Sequence, residues 1–147
     1  MKQIALATCL ACSAVAAAAQ DMVSYTTDQS FDDVVFGLEN AILDMGLVID
    51  ATSRVGEMLE RTRADVGSDK VLFANADVFS FCSAVVSRKV MEVDPMNIAF
   101  CPYDIFVAEL AGAEGQTVIG YRTLPPGAMQ EVQALLDGIA RTAIGIE

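Results

Sequence analysis

Between Ser30 and Gly46 the chain reads SFDDVVFGLENAILDMG, and this stretch constrains the fold more than any other. Ser30 is a favoured N-cap, Asp33 three residues on completes a capping box, and Asp32 adds negative charge where the helix dipole favours it. Phe31, Val34, Val35, Leu38, Ile42 and Met45 then recur at helical spacing, and Gly46 offers the usual C-terminal stop. Capping accounts for this acidic cluster without any ligand. A helix with one apolar stripe must bury it, and the segments on either side are short and strand-like. Met22–Thr27 alternates as a short edge strand, and residues 47–53 alternate again after the glycine.

The remaining pattern fills in an α+β domain. KVLFA (residues 70–74) reads as a short buried strand followed by an Asn75-Ala76-Asp77 turn, with 56–66 weakly amphipathic before it. The spacing of Cys82, Val85, Val86, Val90 and Val93 predicts a helix from Phe79 to about Val93, ended by Asp94-Pro95. Residues 104–111 and 117–124 alternate around a glycine turn and predict a hairpin. Pro125-Pro126-Gly127 opens a last amphipathic helix, with proline where its missing N–H costs least, and Met129, Val132, Leu135, Leu136 and Ile139 form its apolar face. No internal repeat, heptad or linker interrupts the chain. The expected architecture is a single domain, mainly an antiparallel sheet of about five strands, with helices packed mainly on one face.

The first residues carry a different signal. Lys2, an apolar run from Ile4 to Ala16, and Ala17-Ala18-Ala19 follow the order of a secretory signal peptide, too short and wrongly flanked for a membrane span. Cleavage between Ala19 and Gln20 is expected, leaving a periplasmic domain of residues 20–147 with no stable membrane anchor. Neither Cys9 nor Cys12 has the residue order of a lipid-anchored cysteine. Cleavage also removes Lys2, so the mature chain is one unit more negative than the full chain's −11. Such acidity disfavours nucleic acid and anionic membranes as partners. The sequence contains no histidine, which removes Ser-His-Asp and Cys-His catalysis and His-ligated zinc or haem.

SFDDVVFGLENAILDMGLVIDA, SDKVLFANAD, CPYDIFVAEL and TVIGYRTL, taken in order, resemble the DUF302 family, a small bacterial and archaeal domain of unknown function. The resemblance runs from about Val23 to Leu124. It implies a β-α-β4-α type of domain that forms homodimers. The chain departs from the family pattern in three places. Phe73-Ala74-Asn75-Ala76 stands where FGNP is usual, Cys101-Pro102 where Leu-Pro is usual, and Thr52-Ser53 where a histidine is common. The family supplies no catalytic residues, and none is assigned here.

Cys82 and Cys101 are the two cysteines outside the signal segment. Export into an oxidising compartment favours a structural disulfide between them. A helix from Cys82 to Val93 is about 16 Å long, and the eight steps back to Cys101 span up to about 26 Å. The return loop can therefore bring the two thiols together. A second reading sets Cys82, Cys101 and Met96 around Cu(I), with Met91 on the opposite helix face. A third is thiol redox chemistry, against which stands the absence of Cys-x-x-Cys spacing. Arg88-Lys89 stands out in an acidic chain but fits a solvated helix face. No cofactor is expected. The functional expectation is a non-enzymatic binding or accessory module taking a small ligand or protein partner; the alternative is a copper-binding or thiol-redox protein.

Overall fold

A computed structural model describes residues 22–146; the signal segment and its expected cut at Ala19 and Gln20 lie outside the described residues. Five strands form one fully antiparallel sheet in the order β1-β5-β4-β3-β2. They are β1 (Met22–Thr27), β2 (Val48–Ser53), β3 (Phe73–Cys82), β4 (Tyr103–Leu110) and β5 (Thr117–Arg122). Four helices join them: α1 (Phe31–Asp44), α2 (Val55–Thr62), α3 (Ala84–Val93) and α4 (Met129–Ala143), with a 3-10 helix at Pro95–Phe100. The α+β class with helices mainly on one face is the one the sequence implies.

α1 starts as its cap requires. The Ser30 hydroxyl accepts from the Asp33 N–H at 3.2 Å and donates to the Asp33 carboxylate at 2.7 Å, while Gly46 takes a φ of 71° at the other end. Its buried stripe of Val34, Leu38 and Ile42 packs with Val132, Leu136 and Ile139 of α4 over the inner sheet face. That face presents Phe79, Phe81, Ile105, Val107, Ile119 and Tyr121. α1 and α4 cross closely at Gly37, where an added Cβ would lie 2.2 Å from the Ala143 carbonyl oxygen. The opposite sheet face is left open by these helices, and Ala76, Val78, Phe106, Ala108 and Val118 alternate onto it. Gly120 sits there beneath the Phe106 ring, with room for no side chain of its own. No helix among the described residues is long and apolar enough to cross a membrane.

The main correction concerns the centre of the chain. Asn75-Ala76-Asp77 is strand, not turn, and Phe79–Cys82 is the end of β3 rather than the start of a helix. β3 runs ten residues because Phe79 and Phe81 point inward opposite Ile105 and Tyr103, while Val78 and Ser80 face the other way. Its polar start is accommodated by a register shift between Phe73 and Asn75, and by the Asn75 amide donating to Glu109 at 2.9 Å. α3 begins one residue beyond its cap Ser83, whose hydroxyl accepts from the Val86 N–H. Residues 56–66 prove helical at their start, as α2. Pro125-Pro126 lies ahead of α4 rather than in its first turn.

Candidate functional site

Two features converge at the end of the sheet where β3 finishes and β4 begins. The first is the cysteine pair. β3 and β4 are neighbours, with Phe81 opposite Tyr103, so Cys82 at the end of one strand falls beside Cys101 just before the other. The two Sγ atoms are 2.6 Å apart. The ladder brings them together, not a return loop laid along a helix as the spacing argument supposed. Burial pushes the Cys82 thiol up to about 12, helped by the neighbouring Cys101. Nearby, the buried Tyr103 hydroxyl is 2.8 Å from the Ser87 hydroxyl, and burial raises its pKa as well.

The second feature is a fork in the sheet. The ladder between β4 and β5 ends at Phe106 opposite Gly120. Beyond that pair, residues 103–105 of β4 pair only with β3, and Tyr121 and Arg122 of β5 pair only with β1. The diverging strands open a slot of about 380 Å³. Leu136 of α4 and Tyr121 line its inner side, and Phe106, Met22 and Val78 line it from the open face. Phe100 and Pro102 flank Cys101 and form a side wall, so the cysteine pair buttresses the slot. The Cys101–Pro102 peptide bond is cis.

Opposite charges sit on the two lips. Asp104 on β4 accepts from the Ser80 hydroxyl at 2.5 Å. Arg122 on β5 has no ion-pair partner among the described residues, whereas Arg54, Arg63, Arg88 and Lys89 each have one. Arg88 pairs with Glu92 and Lys89 with Glu131, which absorbs the basic pair that stood out in the sequence. Asp104 and Arg122 are the residues that would face each other had the ladder continued two positions past Phe106 and Gly120. Sequence reasoning passed over both, since each reads as an ordinary solvent-facing residue of an alternating strand. The signal that could have marked them is the Leu124-Pro125-Pro126 break, which stops β5 from following β4 to its end.

A separate polar cluster lies on the helix side. Asp137 of α4 accepts from Tyr25 at 2.5 Å and from Tyr121 at 2.7 Å, tying α4 to β1 and β5. Burial works to raise the Asp137 pKa, but the two hydroxyls and Arg141 outweigh it and hold the carboxylate below its ordinary value. Burial and the same carboxylate push Tyr121 well above the ordinary phenol range. Both hydroxyls are committed to this structural tie.

Met96, proposed from the sequence as a third soft ligand, is 70% exposed, and Met91 packs against the core. Among the described residues, no group of three or more His, Cys, Asp or Glu side chains could hold a metal ion.

A single antiparallel sheet, covered by helices on one face and forked on the other, defines a small α+β domain with an open sheet surface. The family model for the domain of unknown function DUF302 matches residues 23–142, and the chain belongs to that family. A solved structure with this fold is the uncharacterized conserved protein DUF302 from Bacillus stearothermophilus. It is 16% identical, with a TM-score of 0.61 over 86% of this chain and 98% of that one. No curated protein matches the chain.

Proposed function

We propose that this chain is an exported, non-enzymatic binding module whose ligand sits in the slot between β4 and β5. The observation that carries the reading is the fork itself. Two strands that could pair to their ends diverge instead, leaving a concavity in the size range of small-molecule sites. Its walls mix aromatic and aliphatic side chains with a few polar groups, the composition such sites use. The absence of histidine from the sequence supports a binding role over acid–base chemistry.

The Cys82–Cys101 pair belongs to this proposal as a disulfide that fixes the Phe100–Pro102 wall. The facing sulfurs and the export signal support it. The raised Cys82 pKa speaks against an activated thiolate, so thiol-redox chemistry is the lesser reading. Copper held by Cys82, Cys101 and Met96 stands as the alternative in the metal class. Pairing of two copies, which the family resemblance implies, completes the proposal.

Native mass spectrometry of protein recovered from the periplasm tests these readings, combined with amide-shift mapping against a set of small apolar compounds. A loss of two hydrogens without a metal adduct, and shifts clustered on residues 103–106 and 120–122, are expected. Retained copper moves the protein to the alternative, and shifts scattered elsewhere remove the slot as its site. A cytoplasmic, uncleaved chain would remove the export reading. Sedimentation across concentration tests the dimer, and a monomer throughout would exclude it.

A further inference from the structure

Resting on that reading of the slot, we infer that its ligand is a small zwitterion with an apolar body, of the size of an aromatic amino acid or a short apolar peptide. Three observations carry this. The lips bear one anion and one cation, Asp104 and Arg122, at positions the sheet register would set opposite one another, and yet they form no ion pair. Arg122 is one of four cations among the described residues that make no salt bridge, and of these it is the one that lines the slot, where it is open to an external anion. Between the lips, the lining is apolar and partly aromatic, with Phe100, Phe106 and Leu124 available to a side chain.

The chemistry of the two lips differs. Arg122 presents a planar fork of donors suited to a carboxylate. Asp104 already accepts from Ser80 on one oxygen, which fixes the carboxylate and leaves acceptor capacity for an ammonium. A monoanion would gain Arg122 but meet Asp104, and a monocation would meet the reverse conflict. Only a ligand carrying both charges satisfies both lips, while its apolar body displaces water from the slot. Both lip residues are exposed, so solvent and salt screen each contact. Each is expected to contribute about 1.5- to 5-fold in affinity.

The test compares three probes of nearly one shape, phenylalanine, 3-phenylpropanoate and phenethylamine, titrated into the full mature chain at low salt. Amide shifts of residues 103–106 and 120–122 provide the readout. Phenylalanine should bind more tightly than either singly charged analogue. Arg122→Gln should weaken phenylalanine and phenylpropanoate and spare phenethylamine; Asp104→Asn should weaken phenylalanine and phenethylamine and spare phenylpropanoate. Equal affinity for all three probes, or charge variants that change nothing, overturns the zwitterion while leaving an apolar slot intact. Absence of any shift at the slot with these probes and with uncharged apolar compounds overturns both readings together. Shifts there that follow protein concentration and not the probe assign the slot to a second copy and also overturn the inference. Both substitutions are on exposed lips, and unchanged thermal melting of each variant separates lost binding from lost folding.

Discussion

The two longest helices each carry a glycine in their interior, and replacing each with alanine separates an intrinsic effect from a packing effect. Gly37 is in α1 and Gly138 in α4, and neither has a positive φ. Alanine in a helix interior is favoured over glycine by about 0.5–1 kcal/mol. At Gly138 an added Cβ meets nothing within 4 Å, so Gly138→Ala should stabilise by about that amount. At Gly37 the same Cβ would be 2.2 Å from the Ala143 carbonyl oxygen, where ordinary contact begins at 3.4 Å. The obstacle is backbone, so no rotamer change relieves it, and α1 and α4 must separate by about 1 Å over a close-packed core. Overpacking of this kind costs about 1–3 kcal/mol. Because the propensity gain is common to both, the difference between the two variants isolates the clash at about 1–3 kcal/mol. Urea denaturation measures it directly: with a slope of about 1–3 kcal/mol per molar, the two midpoints should separate by roughly 1 M. If Gly37→Ala is as stabilising as Gly138→Ala, the close α1–α4 crossing described above is wrong.

Three further outcomes are expected. Cys82 and Cys101 are 19 residues apart, so if the proposed disulfide forms, reducing it, or replacing both cysteines by serine, should cost about 3 kcal/mol in the chain-entropy model. Equal denaturation curves with and without reductant would remove the staple. In the reduced protein the Cys82 pKa is raised, so the stability it contributes is full below the unfolded thiol's pKa near 9.0 and is lost as pH rises toward about 12. Its alkylation should stay slow at pH 9, where an ordinary thiol is half ionised; rapid labelling would contradict the burial. Asp137→Ala should destabilise by about 1–3 kcal/mol, since Tyr121, only 2% exposed, loses its hydroxyl's acceptor. Because the Asp137 pKa is lowered on folding, its contribution is present above the unfolded carboxylate's pKa and fades as pH falls through the folded value. A wild-type stability that stays flat on acidification, matching the Asp137→Ala curve, would show that the tie contributes nothing.

What the sequence disclosed follows the range of the interactions involved. α1 was readable to its cap because Ser30, Asp33, the apolar stripe and Gly46 lie within one short window and agree. The β4–β5 hairpin was readable because alternation and a glycine turn are local too. The border at Cys82 was not, since Phe79, Cys82, Val86 and Val90 satisfy a helical period while Phe79 and Phe81 also satisfy a strand period. The ladder to Ile105 and Tyr103 decides between them, and it acts over more than twenty residues. Cys82 and Cys101 lie side by side, but the ladder between β3 and β4 brings them there and not the return loop that the spacing suggested. The slot was illegible for a further reason: it exists where two ladders stop agreeing, and no single segment encodes that divergence. Arg122 gains its meaning only from the absence of a β4 residue paired beside it.

The sheet order also sets a timetable. β1 pairs only with β5, so Val23 waits for Tyr121, close to a hundred residues later in the chain. A chain with so distant a pairing is slow to close, because the entropy of joining its ends is spent before the contact rewards it. Under the proposed export, that delay would be useful: the first strand of the domain would find its partner only after nearly all the rest had followed. The slot is lined by Met22 and Arg122, a pair in that same β1–β5 ladder, so its wall is complete only when this distant pairing is made.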